Sequence, residues 1–180
     1  MPCKVRSAQL VAAALLTAFA VGACGGDEAV ATDVVGAADA ITAVVAWQAD
    51  EQQPVLDDNG EELLPVIFVV ADIGATIDVG VQADVAAATA DWATVRFADD
   101  VADTFNAALE GEPVRNDGVM LLIGPMPDPA QSVEVVLVRY RSVDDAESFT
   151  LEITSDPTTT DTDNSTPNAS VTSVTSVTQP

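Results

Sequence analysis

Residues 133–141 read VEVVLVRYR and residues 149–154 read FTLEIT, and these two segments decide the fold. In the second segment every other residue from Phe149 to Ile153 is apolar, a period of two that marks a strand with one buried and one wet face. The first segment has the length and the β-branched side chains of a strand. Because only the short turn 142–147 separates them, we predict an antiparallel pair.

A third strand precedes this pair. Residues Val119–Ile123 are apolar throughout and follow the turn sequence Asn116-Asp117-Gly118, so the three strands predict an antiparallel meander. Farther upstream, the unbroken apolar run Val66–Ala71 indicates a strand buried on both faces. We expect Asp72-Ile73-Gly74 to turn this strand into a hairpin that returns along Thr76–Val81.

Three segments upstream of the meander have the apolar spacing or the composition of helices. From Ala37 to Gln52, apolar residues recur three and four apart, as on one face of a helix. Residues 82–91 are rich in alanine, which has the highest helix propensity. Residues 99–109 place apolar side chains four apart behind an acidic start, which also favours a helix, and residues 94–97 are a short strand candidate.

Together these patterns predict an α+β fold. One small domain, residues 37–154, is expected to pack its helices on an antiparallel or mixed sheet that ends in the three-stranded meander. A purely parallel sheet fits the short connections of the carboxyl half less well.

Residues 155–180 differ in composition. Ser and Thr make up 13 of these 26 residues, and Ser-Val-Thr occurs three times in succession from Ser170 to Thr178. Such a segment buries too little apolar surface to offset the entropy lost on ordering, so we predict a disordered tail. Its composition also suits O-glycosylation, with a plain solvated spacer as the alternative.

The residue inventory excludes several kinds of active site. The chain has no histidine and only two cysteines, Cys3 and Cys24, which excludes a Ser-His-Asp or Cys-His site and a His/Cys zinc site. No glycine-rich phosphate loop is present, and no cofactor is expected. Carboxylates are plentiful, so a pair of acids of the kind that hydrolyses glycosides stays an alternative.

The acidic segment Asp57–Glu62 raises the question of a metal site. Its carboxylates and Asn59 are oxygen ligands of the kind that calcium prefers, but their spacing departs from the EF-hand loop. Asn59-Gly60 favours a tight turn. We interpret the segment as a solvated acidic turn without a metal.

Arg139 and Arg141 are the candidate ligand-binding residues. Two positions apart on a strand, their side chains project from the same face, and two guanidinium groups can hold a carboxylate or a phosphate bidentately. The alternative is that these arginines, like Arg96 and Arg115, form ion pairs with the many acids of the chain.

The amino terminus has the order of a secretory signal. Lys4 and Arg6 precede an apolar stretch from Leu10 to Ala20, and small residues follow. The stretch is about half the ~20 residues that a membrane-spanning helix needs. The next residues, Val21-Gly22-Ala23-Cys24, resemble the lipobox of bacterial lipoproteins. The resemblance implies cleavage between Ala23 and Cys24 and a diacylglyceryl group on the Cys24 thiol, usually with an acylated amino terminus.

Ordinary signal cleavage after Ala18-Phe19-Ala20 is the alternative. It would leave Cys24 unpaired, because Cys3 leaves with the signal, whereas lipidation gives Cys24 a role. We therefore expect a signal peptide at 1–23, the lipidated cysteine and a tether at 24–36, and the domain and tail beyond. Two or more acyl chains hold a protein durably on a membrane, so the expected location is the extracytoplasmic face of the cell envelope.

Charge narrows the possible partners. The formal net charge is −23, and it becomes −25 once Lys4 and Arg6 leave with the signal. Nucleic acid is excluded as a partner, because its phosphates are bound by clusters of Lys and Arg. Such an acidic surface concentrates cations or a basic partner, unless it is an adaptation to a salty medium.

We predict a tethered binding or interaction module of the cell envelope, whose ligand is an envelope protein, a small molecule or a polysaccharide. The first alternative is a carboxylate-dependent glycoside hydrolase or another envelope hydrolase. The second is a non-catalytic structural component of the envelope. A cleft lined by two convergent acids favours the hydrolase, and a domain without any pocket favours the structural component.

Overall fold

The computed structural model describes residues 34–155 and 169–177. Within them, two α-helices pack on a six-stranded mixed sheet, which confirms the predicted α+β fold. The expected signal peptide, Ala23, Cys24 and most of the tether lie outside the described residues. Neither helix in the described part of the chain is long and apolar enough to cross a membrane.

Both helices begin at a recognisable cap. Helix α1 (Ala37–Glu51) follows Gly36, whose backbone N–H donates to the carboxylate of Asp39 at 3.2 Å. Helix α2 (Val79–Thr89) follows Asp78, whose carboxylate accepts from the N–H of Gly80 at 2.7 Å. These bonds satisfy backbone donors that a helix start leaves unpaired. Helix α1 agrees with its prediction to within one residue.

The strands form one large sheet and one small ribbon. The ribbon is antiparallel and consists of β1 (Val55–Leu56) and β2 (Glu62–Leu63). The sheet has the order β4-β3-β5-β6-β7-β8. Its strands are β3 (Val66–Ala71), β4 (Thr94–Ala98), β5 (Val119–Ile123), β6 (Ser132–Ser142), β7 (Asp145–Ser155) and β8 (Ala169–Val177).

The meander is confirmed, and the parallel half of the sheet corrects one prediction. Strands β5, β6 and β7 pair antiparallel in sequence order, with a turn shorter than expected between β6 and β7. Strand β3, in contrast, pairs parallel with both β4 and β5. The predicted hairpin along Thr76–Val81 is therefore wrong. Parallel neighbours need a crossover, and α2 provides it between β3 and β4.

The predicted helix over residues 99–109 is also wrong. The chain makes only a 3-10 turn, Val101–Thr104, after which Phe105 is extended and bridges to Val114, with further turns at residues 107–111 between them. Phe105 is buried against the face of the sheet opposite the helices, which we call the outer face. The centroid of its ring lies 6.1 Å from that of Tyr140, in an edge-to-face arrangement. Packing of this aromatic side chain on the sheet replaces the helical continuation that its spacing suggested.

Two apolar layers cover the two faces of the sheet. The helix face carries the larger core, in which Ile41 and Val44 of α1 pack against residues such as Ile67, Leu121 and Leu137. The outer face carries a smaller cluster, which is covered by residues 101–114 after β4. Its buried members are Phe68, Val70, Phe105, Val114 and Met120.

Part of the predicted disordered tail is an ordered strand. Residues 169–177 form β8, which pairs antiparallel with β7 at the edge of the sheet, so the prediction is wrong over these residues. Ile153 pairs with Val171 and Glu152 with Ser173, which leaves Thr172 as an extra, bulged residue. The rest of the predicted tail, apart from Ser155, lies outside the described residues.

The bulge explains how a three-residue repeat fits a strand. Side chains alternate with a period of two, so Val171 and Val174 would face opposite ways on a regular strand. With Thr172 bulged out, Val171 pairs with Ile153 and Val174 with Leu151. Directly paired residues project from the same face, so both valines lie on the helix face.

Candidate functional site

A cleft of about 510 Å³ opens beside the carboxyl end of α1. A smaller cavity of about 120 Å³ adjoins it and shares four of its lining residues. We call the two together the amide cleft, because four of the eight polar side chains that line it are amides. Those amide groups belong to Gln48, Gln52, Gln53 and Asn116.

Four parts of the fold supply the walls. The last turn of α1 and the residues after it contribute the glutamines and Glu51, and the β1–β2 ribbon forms one side. A short 3-10 turn, Arg115–Asp117, forms another side, and Arg141 reaches in from the end of β6. Val66 and Val119, the first residues of β3 and β5, also line the cleft, which places it at the amino ends of these parallel strands.

The 3-10 turn has a conformation that few residues tolerate. Asn116 has φ 58° and Asp117 has φ 52°, both in the left-handed region. That region costs a residue with a side chain roughly 1–2 kcal/mol, least for Asn and Asp. Such strain concentrates at binding and catalytic sites, where the surrounding structure holds it in place.

One amide in the cleft lacks a partner. The Nε2 atom of Gln52 is buried and donates no hydrogen bond within the part of the chain that the structure describes. An unsatisfied buried donor costs about 1–3 kcal/mol, and native structures contain few of them. Because this nitrogen has almost no accessible surface, a ligand acceptor would remove that cost only once the Gln52 side chain turns toward the cleft.

The charges around the cleft are unbalanced. Arg141 is paired, with its guanidinium 3.2 Å from Glu147 and 3.6 Å from Asp145. Glu51, Glu62 and Asp117 form no ion pair among the described residues. The cleft therefore presents free negative charge and no free positive charge.

Arg139 and Arg141 project from the same face, as predicted, and both bind the same carboxylate. Arg139 donates to Glu147 through Nε at 3.2 Å and through its NH2 group, and Arg141 donates to it at 3.2 Å. The carboxylate that two guanidinium groups were expected to hold is thus Glu147 of the same chain. Hydrogen bonding and charge from Arg139, followed by the charge of Arg141, hold the pKa of Glu147 below its ordinary value of 4.5.

Arg139 is buried beneath α1. It donates to the side-chain oxygen of Gln48 at 3.3 Å, and its guanidinium lies 5.7 Å from the Trp47 ring and 4.7 Å from the Phe149 ring. Gln48 lines the amide cleft, so Arg139 fixes a wall of the cleft from behind. Only Arg141 of the two predicted binding residues lines the cleft itself.

The ion-pair alternative does not extend to the other two arginines. Arg96 lies over the Phe68 ring at 5.9 Å, and Arg115 donates to the backbone oxygen of Phe105 at 2.9 Å. Neither has a salt bridge to the residues that the structure describes. A cation over an aromatic ring is itself a favourable contact.

The acidic turn at Asp57 is held together by its own hydrogen bonds. One carboxylate oxygen of Asp57 accepts from the N–H groups of Asn59 and Glu61, both at 2.8 Å, and the other accepts from the Asn59 amide at 3.1 Å. The bond from Glu61, with those from Asn59, lowers the pKa of Asp57. Within residues 34–155 and 169–177, no three acidic or cysteine side chains cluster in a way that could hold a metal.

A separate cavity of about 330 Å³ lies away from the amide cleft, at the carboxyl ends of β3 and β4. Open parallel sheets commonly bind ligands at this end of their strands. The polar side chains that line this cavity, among the residues that the structure describes, are Thr76, Gln82 and Asp99. Gln82 already donates to the backbone oxygen of Ile77 at 3.0 Å. This cavity offers fewer groups for recognition than the amide cleft.

Sequence reasoning missed the glutamines. Gln48 lies in α1 and Gln52, four residues later, is the residue that ends it. In the helix predicted over residues 37–52 this spacing places both on one face, and it was the available signal. The acids and amides around residues 116–117 are far away in sequence. Only the sheet brings them to the end of α1.

No protein-family model, curated protein or solved structure matches the chain. The inference to function therefore depends on the chemistry of the amide cleft.

Proposed function

We propose that this chain is a lipid-anchored protein of the cell envelope whose domain binds a polar ligand without negative charge in the amide cleft. The observation that carries the proposal is that one cleft gathers four side-chain amides, those of Gln48, Gln52, Gln53 and Asn116. The Nε2 donor of Gln52 has no acceptor among the described residues. The neighbouring Gln53 amide offers two donors and an acceptor, whereas the side-chain oxygen of Gln48 already accepts from Arg139. Such groups recognise hydroxyl or amide groups of a ligand by direct hydrogen bonds.

Charge supports the exclusion of anionic ligands. The three carboxylates of the cleft form no ion pair with any described residue, and the whole chain carries a formal charge of −23. An anion entering the cleft would meet repulsion both at long range and at contact. Neutral ligands meet no such barrier, and cationic ones are attracted.

NMR titration of the labelled protein tests the binding proposal. The probes are a tetramer of N-acetylglucosamine, a short lysine-containing peptide and polyglutamate. We expect the saccharide or the cationic peptide to shift the amide signals of Gln48, Gln52 and Gln53, and polyglutamate to shift none of them. If none of the three probes shifts these signals, the cleft is not a binding site of this kind.

The variant Gln52→Leu gives a sharper result, because it moves stability and binding in opposite directions. Leucine removes the unsatisfied donor, which we expect to stabilise the free domain by about 1 kcal/mol. It also removes the group that the ligand satisfies, so affinity should fall about tenfold. Gln131→Ala, an exposed glutamine outside the cleft, is the matched control.

A hydrolase is the second candidate, because two carboxylates that form no ion pair within residues 34–155 and 169–177, Glu51 and Asp117, line the same cleft. Glycoside hydrolysis uses a pair of acids that flank the scissile bond. Reducing-end release from cell-wall and extracellular polysaccharides measures this activity. We expect Glu51→Gln and Asp117→Asn each to abolish any release, and release that survives both substitutions would exclude these acids as the catalytic pair.

The anchoring part of the proposal concerns Cys24. Labelled palmitate should enter the wild-type chain and not Cys24→Ser, and an inhibitor of lipoprotein signal cleavage should make the precursor accumulate in intact cells. If the precursor fails to accumulate, ordinary secretion is the better explanation.

A further inference from the structure

An apolar surface borders the amide cleft. Val55, Leu56, Leu63 and Leu64, on and beside the β1–β2 ribbon, are 42–60% exposed. Val55 pairs directly with Leu63 across the ribbon, and both line the cleft. Val55 and Leu63 project from one face of the ribbon, whereas Leu56, opposite Glu62, projects from the other. Val55, Leu63 and Leu64 lie together along the cleft, and exposed apolar side chains that lie together on a monomeric protein commonly mark an interaction site.

The lining of the cleft is better suited to a polypeptide than to a sugar. No aromatic side chain in the described part of the chain lines it, so a sugar ring would find no aromatic face there to stack on. Side-chain amides match both the N–H and the C=O of a peptide unit. Strands β1 and β2 pair only with each other among the described residues, so the ribbon has backbone edges to which an extended segment can add.

The unpaired carboxylates define the charge of that polypeptide. Glu51 and Asp117 line the larger part of the cleft and Glu62 lines the smaller part beside the leucines. Arg141, the one cation in the lining, is already bound by Asp145 and Glu147. Basic side chains of a ligand would therefore meet free carboxylates at both ends of the cleft.

We propose that the ligand of the amide cleft is an extended, basic polypeptide segment with alternating apolar side chains. The ribbon contacts the apolar side chains, the glutamines bind the backbone, and the three carboxylates bind lysine or arginine. This inference rests on the proposed function of the cleft as a binding site. It adds the chemical class of the ligand.

Isothermal titration of the protein, purified from cells that express the full chain, tests the proposal. The probes are the capped peptides LKLKLK, LSLSLS and LELELE and a tetramer of N-acetylglucosamine. We expect LKLKLK to bind, LSLSLS to bind about tenfold more weakly, and LELELE not to bind. Because exposed charge pairs are screened by salt, the affinity for LKLKLK should fall about tenfold between 50 and 500 mM salt.

Matched variants locate the binding. Glu51→Gln with Asp117→Asn should weaken LKLKLK binding about tenfold, and Leu63→Ser, in the apolar wall of the cleft, should weaken it by several-fold. The control pair Asp84→Asn with Asp91→Asn removes the same charge from exposed residues of α2 and its end, and should change the affinity less than twofold.

The outcomes separate this inference from the binding proposal. Binding of the saccharide without LKLKLK would overturn the polypeptide class and leave the cleft as a binding site. Equal weakening by the control pair would show attraction to the whole acidic surface and would also overturn it. Failure of every probe to bind would remove both proposals.

Discussion

Arg139 and Glu147 form an ion pair in which the cation is buried and the anion is half exposed, with 7% and 47% of the two side chains accessible. The pair joins neighbouring strands β6 and β7. Because Arg139 also bonds to Gln48, the contact extends to α1 and to the wall of the amide cleft. A buried charge is tolerated only when it is paired and hydrogen-bonded.

Replacing Glu147 by glutamine should therefore destabilise the domain. Removing one partner of a fully buried pair costs about 3–5 kcal/mol. Since Glu147 is half exposed and water can replace it, we expect a loss of about 2 kcal/mol in the free energy of unfolding by urea. Glu134→Gln, an exposed position on β6, should change it by less than about 0.5 kcal/mol. Equal losses in the two variants would contradict a special role for the pair.

The same pair predicts a pH dependence. Glu147 has a pKa below 4.5 in the folded domain, so its stabilising contribution is fully present above pH 4.5 and is lost as the pH falls through the folded pKa. Acidification also relieves repulsion among 29 acids, so total stability does not isolate this effect. The difference in unfolding free energy between wild type and Glu147→Gln should be constant above about pH 5 and shrink below it. A difference that grows toward low pH would contradict the assignment.

Local periodicity predicted most of the secondary structure correctly. In α1 and in the strands of the meander, the positions that are periodically apolar in the sequence are the ones that the fold buries. Periodicity failed where tertiary contacts override local spacing. The run Val66–Ala71 correctly indicated burial on both faces, but burial between parallel neighbours is incompatible with the hairpin expected after it. In β8 the period of three concealed a strand, since only the bulge at Thr172 brings both valines to the helix face.

The candidate site was predictable only in part. The common face of Arg139 and Arg141 follows from strand geometry, but their shared partner could not be known before β7 was placed in register with β6. The amide cleft joins the end of α1 with residues more than sixty positions later in the chain. No spacing in the sequence encodes that contact.

Gly118 lines the amide cleft at a point where the backbone leaves no room for a methyl group. A Cβ at Gly118 would stand 2.7 Å from the backbone oxygen of Val66 and 3.1 Å from that of Arg115. Neither backbone atom can move without shifting β3 or the 3-10 turn, so Gly118→Ala should cost about 1–3 kcal/mol and weaken ligand binding in the cleft. At Gly36 a Cβ would meet only a side-chain oxygen at 3.4 Å. Gly36→Ala should therefore cost less than about 1 kcal/mol, and thermal unfolding of both variants measures the contrast.

The bulge in β8 predicts that one residue can be deleted without loss of the fold. Without Thr172, Val171, Ser173 and Val174 would alternate as in a regular strand, and both valines would keep their places opposite Ile153 and Leu151. The hydroxyl of Thr172 donates to the backbone oxygen of Glu152 at 3.2 Å, so the deletion should cost no more than about 1 kcal/mol.

Deletion of Val136 is the control. This residue lies within β6, which pairs on both sides, and its loss turns the following side chains to the wrong face. We expect that deletion to prevent folding. Circular dichroism and thermal unfolding compare the two chains, and a Thr172 deletion as damaging as the Val136 deletion would mean that β8 depends on the bulge itself.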